Sequence, residues 1–291
     1  MVQQSAEEAR VADSELYAIG LTDCRQSLFE RLLSRFRAAQ GYDPRFVYML
    51  TRQGRMHSQI AAFPSQAFYA GSLQPVPLPH QTVHMQASGT CNGIARMLTS
   101  KRLAFVCSER PNLSTSPKTN DVEARMIASI VYQAYLLCGE KFDVEQSIGV
   151  IVPYRNQISA IRNAIDQYGT SALHDISIDT VERFQGSQRD YIIYGFTIHQ
   201  RWQLNFLCSN TFMEDGVWID RKLNVAMTRA RLQLTLVGNP QLLSHNATFR
   251  KLMDFARSRD SFFKVDAEHF CNGDFPMPAA AGALSSAAEN G

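Results

Sequence analysis

The sequence predicts an α/β domain with a mostly parallel sheet and helices on both faces. Short apolar runs suited to buried strands fall near residues 46–50, 103–107, 147–152, 175–181, 191–198 and 232–238. Several of the stretches between them carry apolar residues at helical spacing. With 291 residues, 45% of them hydrophobic, the chain can bury a substantial core.

Residues up to about 37 read as helical, with Leu28, Phe29, Leu32, Leu33 and Phe36 on a helical pattern and Ser27 and Glu30 placed for a capping box. This segment, 1–38, precedes a domain expected over 39–265. The strand candidate at 46–50 leads into T-R-Q-G-R-M-H-S at 51–58. Residues 74–99 turn loop-like, with Pro75, Pro77, Pro79, Gly89 and Gly93. His80 and His84 are four apart, but the prolines argue against a helix and no third ligand is evident, so both read as surface residues and no metal is expected.

After the strand at 103–107, Asn120 reads as a helix N-cap with Glu123 as its box partner and Gly139 as the stop. A buried strand at 147–152 passes into a helix over 154–168 with Ile158, Ile161 and Ile165 on one face. Residues 175–198 read as two alternating strands around a Gly-containing turn, and 199–217 as a long loop. In the stretch 220–239 the apolar spacing is first helical (Leu223, Val225, Ala226, Met227, Ala230) and then alternating (Leu232, Leu234, Leu236), ending at Asn239-Pro240. An arginine-bearing helix feeding a strand holds a guanidinium rigidly at a domain edge, where a phosphate would be met. A closing helix is expected over 241–257 and a disordered tail over 266–291, where the chain becomes rich in Pro, Ala, Gly and Ser.

A net charge of +2 is too mild to argue nucleic-acid binding by itself, so any such binding must come from a local groove. The six cysteines (Cys24, Cys91, Cys107, Cys138, Cys208, Cys271) have no zinc spacing and read as reduced thiols. The N-terminus is polar and acidic, and no run of about 18 apolar residues occurs. The expectation is a cytoplasmic protein, nucleoid-associated if bacterial, with no membrane partner.

The run L-N-V-A-M-T-R-A-R at 223–231 resembles the last signature motif of superfamily 1 helicases. The likeness is to the 5′-to-3′ group that holds the nonsense-mediated-decay helicase and the DNA replication helicase/nuclease, within the AAA domain family. Q-G-R-M-H at 53–57, V-P-Y-R-N-Q at 152–157 and T-V-E-R-F-Q-G-S-Q-R-D at 180–190 resemble further motifs of the same group. The resemblance implies the second, C-terminal RecA-like domain, a P-loop NTPase-type fold without its own P-loop. It implies arginine fingers at Arg55 and Arg229 directed at the γ-phosphate of ATP, with Gln53, Gln185, Gly186 and Gln188 facing the nucleotide. Thr180, Tyr154, Arg155 and Asn156 would meet the backbone of single-stranded nucleic acid, DNA in preference to RNA. Two positions depart from the pattern: Gly54 stands where relatives carry an aromatic on the adenine ring, and Gln188 where they carry an acid.

No G-x-x-x-x-G-K-[ST] occurs, and no Asp-Glu pair ends an apolar strand. The expected activity is therefore half of an ATP-dependent helicase, with Mg²⁺ and the water-activating carboxylate supplied by a first RecA-like ATPase domain in cis or in trans. Alone, the chain is expected not to hydrolyse ATP. A free-standing single-strand-binding or partner-docking module, or a relic of a helicase gene, are the alternatives.

Overall fold

The computed structural model describes residues 10–21, 23–24, 27–38, 41–84, 92–108, 116–184, 186–209, 211–214 and 217–275. They fall into two compact units, Met1–Thr51 and Arg52–Gly291. In the first unit, Asp13 caps α1 (Ser14–Ala18), and α2 (Leu28–Arg35) opens with the expected Ser27–Glu30 box. A two-residue ribbon joins β1 (Arg37–Ala38) to β2 (Gly41–Tyr42). Residues 46–50 are not a strand. Phe46, Tyr48, Met49 and Leu50 are exposed by 54–81%, because an apolar run becomes a strand only where a neighbour offers backbone partners. The helix α2 likewise buries none of its residues.

In the second unit, β3 (Arg52–Gln53) pairs with β4 (Gln74–Pro75) on either side of α3 (Ser58–Phe68), and a 3₁₀ turn follows at Pro79–Gln81. Next come α4 (Gly93–Ser100), β5 (Leu103–Ser108), α5 (Asp121–Cys138), β6 (Ile148–Val152), α6 (Arg155–Asp166), β7 (Ser177–Thr180) and β8 (Arg189–Gly195). Then follow α7 (Gln203–Leu207), β9 (Thr211–Glu214), β10 (Val217–Asp220), α8 (Arg221–Met227), β11 (Ala230–Val237), α9 (Pro240–Leu243), α10 (Ala247–Arg257), β12 (Phe262–Val265) and α11 (Ala267–Cys271).

Six strands form one sheet in the order β12-β5-β11-β8-β6-β7, every pair parallel. Alternate residues of each central strand enter opposite cores: Phe105, Ile192 and Leu234 pack beneath α3, α8 and α10, while Val106, Ile193 and Ile148 pack beneath α4, α5, α6 and α11. Burial on both faces explains why these strands read as near-continuous apolar runs. The fold class is as expected.

Four local expectations are corrected. Residues 175–198 are not two adjacent strands around a turn: β7 and β8 both pair with β6, which lies between them. The stretch 199–217 contains α7 and the antiparallel β9–β10 ribbon rather than a plain loop. The closing helix is broken at 244–246, where the Asn246 side chain accepts from Thr248 N and Phe249 N and starts α10 afresh. The tail expected over 266–291 does not hold for 266–275, because Asp266 caps α11 and Phe270 and Phe275 pack edge to face in the core; residues 276–291 lie outside the described residues. Among the described residues no helix is long and apolar enough to cross a membrane.

Candidate functional site

Because all six strands run the same way, loops gather at two opposite edges, and the expected ligand residues divide between them. At the edge where β8 and β11 begin, Arg189 N donates to Arg229 O (3.0 Å) and His57 N donates to Arg231 O (2.7 Å), so residues 186–188, 228–229 and the turn 53–57 converge. Arg55 donates from Nε to Gln188 Oε1 (3.0 Å) and from Nη1 to Thr228 O (3.0 Å). Arg229, 9% exposed, donates to Val225 O (3.2 Å) and Ser187 O (3.3 Å). Burial lowers the Arg229 pKa from its ordinary value, and the positive charge of Arg55 lowers it further, so two cations repel one another here. Every acceptor of these guanidiniums is neutral, and among the described residues neither has a carboxylate partner. Two neighbouring cations without a carboxylate make this place a candidate site for an anion.

The turn that carries Arg55 is tied from inside. Gln53 Oε1 accepts from Arg55 N (3.0 Å) and Met56 N (2.7 Å), while its Nε2 donates to Met56 O (3.0 Å). The Gln53 side chain is thus engaged in the turn itself. Gln81, fully buried, donates to Gln53 O and Met56 O, and a ring nitrogen of His80 lies 3.0 Å from Arg55 O. Neither positioning role was expected. His80 in particular is half-buried against the Arg55 backbone rather than a plain surface residue. His57 caps α3, and burial, with Arg102 adding to it, drops its pKa to about 4, so its imidazole adds no charge near pH 7.

Gly54 is exposed, and a Cβ there would lie 3.4 Å from Leu78 Cδ1, so an aliphatic side chain borders the position without the aromatic. Gly186 has φ +88° with open space around it: its requirement for glycine is conformational and not a matter of crowding. Gln185 lies outside the described residues. Asp190 is spent on Arg231 (2.8 Å).

The other expected group lies at the edge where β6 and β7 end. Val152 pairs with Thr180, which places Thr180 beside Tyr154, Arg155 and Asn156 at the start of α6. Arg155 and Asn156 are exposed, whereas Thr180 and Tyr154 are 9% and 8% exposed. Tyr154 stacks on Phe206 (centroids 4.9 Å apart, planes at 19°).

Residues 181–188 run from this edge back to the first across β6, whose five residues span roughly 16 Å. The crossover lies close because Gly149 has no side chain: a Cβ there would be 2.9 Å from both the Phe184 ring and Arg189 Cγ. One short, closely packed segment therefore joins Thr180 to Gln188.

A buried carboxyl stands nearby. Asn120 Oδ1 accepts from Glu123 N (3.0 Å) as an N-cap should, but Glu123 does not return the bond. Gln157 accepts from Asn120 N (2.7 Å) in its place, and Glu123 Oε2 instead accepts from Thr197 N (2.6 Å). Glu123 is 4% exposed, its Oε1 has no hydrogen-bond partner among the described residues, and burial pushes its pKa up to about 8.

Residues 24–241 match the family model described as an AAA domain. A probable helicase of Dictyostelium discoideum is 31% identical over 82% of this chain and 22% of its own length. The regulator of nonsense transcripts 1 of Caenorhabditis elegans is 32% identical over 82% of this chain and 20% of its own, and helicase sen1 of Schizosaccharomyces pombe 30% over 80% and 13%. The chain thus spans about a fifth or less of the length of these relatives. Among solved structures, the C-terminal domain of a possible DNA helicase from a Lactobacillus is 14% identical, with a TM-score of 0.35 over 73% of this chain and 98% of that one.

Proposed function

The chain belongs to the AAA domain family, and we propose that it is a helicase-type C-terminal domain, the second half of an ATP-driven motor on single-stranded nucleic acid. The observation that carries this reading is the pair Arg55 and Arg229, two neighbouring guanidiniums bonded, among the described residues, only to neutral oxygens. The pair fits the terminal phosphate of ATP held by an opposing domain, where it would stabilise charge developing on the transferred phosphoryl group. Mg²⁺ would be bound together with the ATP by the opposing domain. In this reading the metal and the water-activating carboxylate come from the first RecA-like domain, in cis or in trans.

A partner domain also accounts for the first unit, where Leu28, Phe29, Tyr48 and Leu50 are exposed by 66–81%. The strand, DNA in preference to RNA, would run past Thr180, Arg155 and Asn156, which offer backbone rather than base-edge contacts and so little sequence preference. The crossover 181–188 would transmit closure on the phosphate into a shift of the strand grip. In a protein containing both domains, Arg229→Ala is expected to reduce ATP turnover by roughly a thousandfold or more while leaving single-strand affinity unchanged. Undiminished turnover in that variant removes the arginine-finger assignment.

A further inference from the structure

Outside the residues discussed so far, the carboxyl edge of the sheet carries an aromatic and cationic surface. Trp202 and Phe206 stand one helical turn apart at α7, exposed by 54% and 42%. Two exposed rings one turn apart, flanked by cationic side chains, form a small patch rather than a scattered apolar residue. Phe206 is held from two directions, stacked on Tyr154 and with Lys222 Nζ 4.3 Å from its ring centroid. It is thus a strut joining α7 to the start of α6. The indole of Trp202 is oriented by its Nε1–H, which donates to Gln200 Oε1. Beside it lies a groove of about 660 Å³ bordered by Arg201, Asn205, His245 and Asn246. Arg201 and Arg155 are both exposed, and among the described residues neither has an ion-pair partner.

We propose that Trp202 is a base-stacking platform for single-stranded nucleic acid, set beside the proposed backbone contacts at Arg155 and Asn156 through the Phe206 strut on Tyr154. This inference rests on the single-strand reading above and adds to it a contact with the bases. An indole face accepts any base, and the flanking guanidiniums meet phosphates, so the surface suits a polyanion with exposed π-faces better than a protein partner. Stacking of this kind keeps sequence preference low while raising affinity.

The test uses the whole chain with a fluorescent oligothymidylate and the same oligomer with abasic sites. Trp202→Ala is expected to weaken binding about tenfold and Trp202→Tyr much less. Wild type should lose a similar factor on abasic substrate, whereas Trp202→Ala should lose little more. The chain has two tryptophans, so in a Trp218→Phe background the remaining indole emission reports on Trp202 and should quench on binding. If Arg155→Ala weakens binding but Trp202→Ala does not, or if abasic and intact oligomers bind equally, the platform is refuted and the backbone reading stands. Absence of any wild-type binding at low salt removes both.

Discussion

Replacing Glu123 by glutamine should change how stability depends on pH. Glu123 is nearly inaccessible, accepts one backbone hydrogen bond from Thr197 and leaves its second oxygen without a partner. Burial raises its pKa from 4.5 to about 8. Between these values the folded chain keeps a proton that the unfolded chain releases. The stabilisation is therefore complete below about pH 4.5 and is lost as pH rises through about 8. At about 1.4 kcal/mol per pH unit, the whole rise corresponds to roughly 5 kcal/mol, to within a kcal/mol or two. In Glu123→Gln the amide oxygen can still accept from Thr197 N, but nothing at this position titrates. Urea unfolding of both proteins from pH 5 to 9 isolates the effect, because other groups cancel in the difference. Wild type should lose about 1.4 kcal/mol per unit relative to the variant up to pH 8, and the difference should then level off. Curves that stay parallel across this range would mean that the carboxyl is ionised in the fold or reached by water, and the account of it would fail.

Gly149→Ala places a methyl 2.9 Å from the Phe184 ring and Arg189 Cγ, and should cost about 1–3 kcal/mol, or roughly 2–4 °C in Tm per kcal/mol. Adding Phe184→Leu should recover part of the loss, and a double variant no more stable than Gly149→Ala would show that the crossover does not press on β6. Gln81→Ala removes two buried bonds to the Arg55 turn and should destabilise by about 1–3 kcal/mol; calorimetry showing an unshifted Tm would mean that the turn holds itself.

Much of the sheet was legible in the sequence because two-sided burial leaves an unmistakable trace. Strands such as Ile148–Val152, buried along their whole length, can hardly be read as anything else. Residues 46–50 show the limit: apolar content names a strand's composition and not its partner, and in this unit the run has none. The same limit hid the placement of β6 between β7 and β8, since alternation is identical in a hairpin and in a parallel crossover. The strand β12 is only four residues long and follows α10 after four residues, so it gave too little pattern to notice. The small residues that follow 277 drew Phe270 and Phe275 into the same tail reading, although both are buried. At the site, the arginines came from motif resemblance alone, while the ties made by Gln81, His80 and Glu123 reach backbone atoms distant in sequence and leave no local signal. The Trp202 surface falls where periodicity was absent, in a helix too short to show one.

The strand order also dictates when the domain can be finished. β11 lies between β5 and β8, yet it is synthesised after both. Until residue 237 has left the ribosome, β5 is a lone strand and β8-β6-β7 a partial sheet, both awaiting the same strand, and β12 follows later still. Arg229 immediately precedes β11. The step that joins β5 to the rest of the sheet therefore also delivers the second guanidinium to the first, and a chain stopped short of that strand would lack its sheet and its paired arginines together.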